Sequence, residues 1–258
     1  MKKKERLYLA VSAMSLIAFL GIWQIITDVL KLVPSTVMPS PYTVLNEFIV
    51  KFYDPEPDGA TIFAHILTSL QVCLVGYLIG ALIGVPLGIA MAWYKKASLI
   101  IQPIFDMFRP IPPIAWIPIM LLWLGVGLPA RAAIIFISAV IPCVINVYAG
   151  IKHTSLVHIW VAETFGASNF EILRKVALPT ALPYIFTGLR ISLGTSWSAL
   201  VAAELLASSK GLGYMIQISR NFGRPDIIVV GMLTIGAIGA LLSYILEFIE
   251  NKYVKGGV

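Results

Sequence analysis

The sequence predicts an all-α polytopic membrane protein with about six transmembrane helices, and three observations carry that expectation. Of 258 residues, 59% are hydrophobic and 12% charged, whereas soluble globular domains carry roughly 45–50% apolar and about 25% charged residues. The apolar residues gather into runs of about 20, the length that crosses a hydrocarbon core. The Lys and Arg residues behind the net charge of +6 sit at the ends of those runs, where topology signals lie. They form no single stripe, so nucleic-acid binding is excluded.

Six runs are expected to span: 7–26, 66–93, 104–124, 132–149, 184–206 and 227–249. The first follows Lys2, Lys3, Lys4 and Arg6, as a signal core would. It exceeds the usual core of about 7–15 residues, and Lys31-Leu32-Val33-Pro34 follows in place of a small-residue cleavage site. It is expected to be retained. The third run is crowded by Arg109, Pro110, Pro112, Pro113 and Pro118. Proline removes a backbone donor and kinks a helix, which lipid tolerates only where protein or a water-lined cavity covers the break. Polar stretches lie at 28–61, 151–182 and 207–226.

Alternate loops give the orientation. One side holds eleven cations: Lys2, Lys3, Lys4, Arg6, Lys95, Lys96, Lys152, Arg174, Lys175, Lys252 and Lys255. The other holds six: Lys31, Lys51, Arg131, Lys210, Arg220 and Arg224. The richer side is expected to be cytoplasmic, with both termini inside. Lys210, Arg220 and Arg224 then form an outer basic segment, suited to docking an external protein or drawing anions toward a pore.

No catalytic set emerges. A G-x-x-x-x-G-K-[ST] phosphate loop is absent, and Gly211-Leu212-Gly213 has neither the lysine nor a preceding strand. His65, His153 and His158 lack metal-ligand spacing, and Cys73 and Cys143 lie inside apolar runs. The chain is expected to hold no metal or cofactor and to hydrolyse nothing itself. Gly76, Gly80, Gly84 and Gly88 recur at every fourth position of the second run. Such a ridge lets helix backbones approach closely, either within the subunit or at a subunit seam. In the fifth run Thr187, Arg190, Gly194, Trp197, Val201 and Glu204 share one helix face. They read as a pore-facing stripe, or as Arg190 and Glu204 snorkelling to opposite surfaces. Asp106 and Arg109, one turn apart, form a local ion pair or serve translocation. Arg109, Arg190, Trp197 and Glu204 are thus the candidates for the translocation path.

The 151–182 stretch is more specific. Trp160-Val161-Ala162-Glu163-Thr164-Phe165-Gly166-Ala167-Ser168 reads as a short helix with a glycine break. An amphipathic helix, stopped by Pro179 and Pro183, is expected to follow. This stretch resembles the EAA loop, E-A-A-x3-G-x9-I-x-L-P, of permease subunits of binding-protein-dependent ABC importers. Ala162, Gly166, Val176, Leu178 and Pro179 fall in register. Trp160 and Val161 replace the leading Glu and Ala, and Glu163 is displaced by three residues. The segment from Arg109 to Pro118, Leu122-Trp123-Leu124-Gly125, the segment from Leu178 to Arg190, and Ala203-Glu204 followed by Gly211-Leu212-Gly213-Tyr214 are similar to the nitrate/sulfonate/taurine/bicarbonate branch.

The resemblance implies a type I importer fold, with residues 1–258 as one transmembrane domain and a core at about 66–249. It implies a second permease copy in a homodimer, two cytoplasmic ATP-binding subunits carrying ATP and Mg, and an external solute-binding protein. It places the chain in a bacterial inner or plasma membrane. The solute would be a small anion: sulfonate, taurine, nitrate, bicarbonate or a related organic acid. Trp160, Ala162, Glu163, Phe165, Gly166, Leu178 and Pro179 would contact or couple the ATPase. The competing reading is an ion-gradient-driven transporter or channel, but six spans without an inverted repeat are few for that class, and it gives the glycine-broken loop no purpose.

Overall fold

The computed structural model describes residues 3–254, so Lys2 and Lys255 lie outside the described residues. The helices are α1 (Lys3–Gln24), α2 (Pro41–Val50), α3 (Ile62–Trp93), α4 (Lys95–Phe108), α5 (Ile117–Leu124) and α6 (Leu128–Lys152). There follow α7 (Leu156–Thr164), α8 (Asn169–Ile172), α9 (Leu178–Ala207), α10 (Leu212–Asn221) and α11 (Pro225–Val254). No strand occurs among the described residues. Among the described residues, five helical stretches are long and apolar enough to cross a membrane, at 10–29, 62–93, 128–152, 169–206 and 225–252.

The third expected span is a broken one. It starts earlier than expected, in α4, and bends by 85° before the turn at Pro113–Trp116 and α5. The cause is the proline run. A residue before proline is pushed out of the helical region, and Pro112, preceding Pro113, is extended at φ −58°, ψ 138°.

Pro179 and Pro183, by contrast, stop nothing: helical structure runs on from Asn169 to Ala207. A wider, π-helical turn at Leu173–Ala177 precedes Pro179 and runs into α9 without a break. Around Pro183, the Thr187 hydroxyl donates to the proline carbonyl at 2.8 Å. Two further helices, α2 and α10, occupy the stretches expected to be merely polar. Ser40 caps α2, accepting from the Thr43 N–H at 3.2 Å, with Pro41 at its start.

The residues fall into two compact units, the boundary lying within α3 and α11. One unit comprises residues up to Ile66 and Lys210–Ile235. Val44, Ile62 and Val230 form its small core. The other comprises Leu67–Ser209 and the residues from Gly236 on. Its organising feature is the glycine ridge of α3 against α6. A Cβ on Gly80 would lie 2.5 Å from the Ala139 Cβ, and one on Gly88 2.8 Å from the Val147 Cβ. Gly76 and Gly84 meet Ile135 and Cys143 in the same way. Real carbon atoms do not approach so closely, so only glycine allows this backbone contact. Helix α9 packs on another face of α6. There the Ser192 hydroxyl donates to the Ala139 carbonyl at 2.7 Å, and Gly188 meets Asn146.

Candidate functional site

Helix α7 buries none of its residues. Trp160 is 59% exposed, Val161 50% and Phe165 87%. Large apolar side chains that the rest of the chain leaves uncovered, gathered on one short segment, mark a surface that something else covers. The ends of this surface are closely fixed. Gly166 sits at φ +77°, its N–H donating to the Glu163 carbonyl at 2.9 Å, while the Ala167 N–H donates to the Ala162 carbonyl at 3.0 Å. Those two bonds are the Schellman termination of a helix, which needs a left-handed residue at Gly166. Nothing lies within 4 Å of a Cβ at Gly166. Within the chain, the glycine is required by backbone conformation.

One residue later the chain is capped again. The Ser168 hydroxyl accepts from the Glu171 N–H at 3.3 Å, and a Glu171 carboxylate oxygen accepts from the Ser168 N–H at 3.0 Å. This is a capping box, reinforced by Lys175 at 3.3 Å from Glu171. Two caps two residues apart leave the angle between α7 and α8 little freedom. Ala162 and Pro179 line a shallow groove of about 400 Å³ with His158, Val161 and Lys175. Leu178 is half-buried against the cluster of Leu173, Ala177 and Ala181.

The Leu67–Ser209 part of the second unit holds a cleft of about 500 Å³. Its walls come from the broken segment after α4, from α6 and from α9, and include Arg109, Pro112, Ser138, Ile141, Thr195 and Ser198. Arg109 and Asp106 are about half exposed and 3.5 Å apart. Of the expected stripe, Gly194 lines this cleft, while Arg190, Trp197 and Glu204 do not. Trp197 is buried, with its ring 3.0 Å from where a Cβ on Gly239 would lie. Glu204 is 1% exposed and accepts from the Ser69 hydroxyl at 2.8 and 2.9 Å, with Arg131 at 4.0 Å. Arg190 pairs with Glu250. The helix period placed these residues on one face, but α3, α6 and α11 cover parts of that face and leave Thr195 and Ser198 to the cleft instead.

In the first unit Arg224 bonds Asp226 and Glu47, each at 2.9 Å, so its charge is largely neutralised. Arg220 is exposed. Sequence reasoning missed the buried set formed by Lys51, Asp58 and His65. Lys51 Nζ donates to Asp58 Oδ1 at 2.7 Å and to the Glu56 carbonyl at 2.8 Å. His65 Nε2 lies 3.2 Å from the same Asp58 oxygen, and its Nδ1 accepts from the Gly211 N–H at 3.0 Å. Burial alone would raise the Asp58 pKa, but His65 and Lys51 outweigh it and hold the carboxyl below its ordinary value. The side chains converge through a loop and two helix ends, so no periodicity announces them.

Residues 84–255 match the family described as binding-protein-dependent transport system inner membrane component. The chain belongs to that family. It is an ABC importer permease, a multi-pass membrane protein. The permease is 34% identical to the taurine transport system permease protein TauC of Escherichia coli (strain K12), over 92% of this chain and 86% of that one. It is likewise 34% identical to the nitrate import permease protein NrtB of Leptolyngbya laminosa, over 94% and 87% of the two chains. In fold it resembles a chain of the inward-facing MetNI methionine ABC transporter, at TM-score 0.60 and 24% identity, covering 74% of the permease and 94% of that chain. A chain from an amino acid ABC transporter with histidines gives TM-score 0.64 at 14% identity, covering 84% and 99%. Among the described residues of the permease no group of three or more His, Cys, Asp and Glu is placed to hold a metal ion.

Proposed function

We propose that the permease couples ATP hydrolysis in a separate cytoplasmic subunit to solute passage through α7 and its Gly166 turn. One observation carries this: a nine-residue helix with no buried residue, exposed aromatic side chains and two adjoining caps. A stiff apolar protrusion of that kind suits insertion into a groove of a partner, where buried aromatic anchors dominate binding. Trp160 and Phe165 are the anchors, Gly166 sets the angle, and Ala162, Glu163, Leu178 and Pro179 support the turn. The ATP and Mg belong to the partner, because the sequence has no phosphate loop. The permease itself catalyses nothing. Two copies pair with two ATPases, and an external binding protein delivers the solute, with Lys210 and Arg220 as the docking cations. Both termini face the cytoplasm of a bacterial inner or plasma membrane. The solute is a small anion, as the names of the taurine and nitrate relatives suggest and as the single cation lining the cleft supports.

The experiment is site-directed labelling. Phe165→Cys, in a background lacking Cys73 and Cys143, is expected to react with an impermeant maleimide only from the cytoplasmic side, and to be protected in the ATPase-bound complex. Equal labelling with and without the ATPase would contradict the reading.

A further inference from the structure

We propose that the cleft of the second unit is a solute site of the permease itself, and that it takes an organic anion with an apolar body rather than a small inorganic oxyanion. The inference rests on the importer function above and narrows its solute class.

The chemistry of the walls decides between the two. The cleft measures about 500 Å³, within the range of about 300–1,000 Å³ typical of small-molecule sites. Pro112, Pro113, Ile137, Ile141 and Ala199 present carbon, and Arg109 is, among the described residues, the one charged residue lining it. A four-atom oxyanion takes the room of a few water molecules, each with about 30 Å³ of liquid volume. It would leave most of this space to water.

The supply of donors points the same way. A dehydrated inorganic oxyanion needs hydrogen bonds on every side, because an unpaired buried charge is costly. The walls do not offer them. The Thr195 hydroxyl has carbonyl acceptors in Ser138, Ile191 and Ser192 at 3.0–3.1 Å, and the Ser198 hydroxyl donates to the Gly194 carbonyl at 3.1 Å. Each hydroxyl has one proton, and each proton has a backbone acceptor already. The Ser138 hydroxyl has no hydrogen-bond partner, but its oxygen is buried away from the open cleft, which leaves the Arg109 side chain as the donor. The Arg109 guanidinium meets Asp106 through one nitrogen, Nη1, at 3.5 Å, in a half-exposed pair of the kind that holds weakly. The rest of its planar fork matches a carboxylate or sulfonate head. One charged head at Arg109 and a carbon body along the prolines and isoleucines satisfies the whole site.

The test uses the full-length permease, affinity-purified from its own membranes into lipid nanodiscs, with radiolabelled hexane-1-sulfonate as probe. Saturable binding is expected, undiminished by excess nitrate or by hexyltrimethylammonium. Arg109→Ala should weaken it by about tenfold or more, the scale of a lost charge-assisted bond, and Arg109→Lys should weaken it less. Ala199→Trp, which fills the cleft, should abolish it. Arg109 is exposed, so its substitution leaves the packed core alone. Absence of saturable binding, equal affinity in Arg109→Ala, or displacement by nitrate would each overturn the inference. So would Ala199→Trp that splits the permease into monomers with binding intact, since the cleft would then be a seam between copies. Failure of the importer reading looks different: no ATPase would accompany the wild-type permease, whatever the probe does.

Discussion

Gly166→Val isolates the turn after α7. Gly166 sits at φ +77° and nothing lies within 4 Å of a Cβ placed there. A valine therefore meets no neighbour, and its whole cost is conformational. A left-handed L-residue costs about 1–2 kcal/mol, with a β-branched one at the upper end. Relief by abandoning the turn gives up the bonds of Gly166 and Ala167 to the Glu163 and Ala162 carbonyls, worth about 1 kcal/mol each. A shift of about 1–2 kcal/mol changes the population of the native turn by roughly 5–30-fold. The packed spans contribute nothing to this balance, so insertion and yield should match wild type. The assay is ATP hydrolysis by the complex with and without loaded binding protein. Stimulation should fall by roughly the same 5–30-fold in Gly166→Val. It should be largely kept in Gly166→Asn, because asparagine tolerates the left-handed region. Full stimulation in the valine variant would refute the reasoning. Equal damage from Asn and Val would also refute it, by placing the effect in the side chain rather than the turn.

Three further outcomes are expected. Gly80→Ala should abolish stable insertion or sharply lower the melting temperature, because its Cβ would lie 2.5 Å from that of Ala139, and Ala139→Gly in the same chain should restore it; lack of rescue would put the fault elsewhere. Asp58→Asn leaves Lys51 buried without its carboxylate, a loss of about 3–5 kcal/mol, visible as a lower thermal midpoint at pH 7. Because the folded pKa of Asp58 is depressed, its contribution is fully present above the unfolded carboxylate value of about 4 and disappears as pH falls through the lower folded value; a midpoint gap between wild type and variant that does not narrow as pH falls below about 4 would contradict this. Glu56→Cys, at an exposed loop position, should label only from outside the cell, and labelling from the cytoplasm alone would reverse the proposed orientation.

What the sequence disclosed follows from the physics that produced each feature. Composition and run length displayed the spans because lipid demands about 20 apolar residues in a row. The α3 ridge was visible because every fourth residue of a helix falls on one side, though which helix it meets required coordinates. The bend after α4 was half legible: the prolines announced a break, while its 85° angle depends on how Pro112 and Pro113 pack. Pro179 and Pro183 misled because helical structure runs on through both, from a π-turn at Leu173–Ala177 into α9. The helix period put Trp197 and Glu204 on one face, but a helix face does not say which of its residues neighbours will cover, and both are buried. The set of Lys51, Asp58 and His65, closed by the Gly211 N–H, was invisible, since loop closure rather than periodicity brings it together. Gly166 stood out because a positive φ demands that residue type, whatever the tertiary setting.

Trp160 on α7 and Phe165 just after it are the proposed anchors of the ATPase. The direct measurement is the amount of ATP-hydrolysing, phosphate-loop subunit retained per permease when tagged wild type and the double variant Trp160→Ala, Phe165→Ala are purified in parallel. Trp160 and Phe165 are 59% and 87% exposed, so removing both should leave the permease folded. Each truncation of a true anchor costs about 2 kcal/mol or more of binding, and the double variant is predicted to emerge without its ATPase. Retention of the ATPase at the wild-type ratio would contradict the claim.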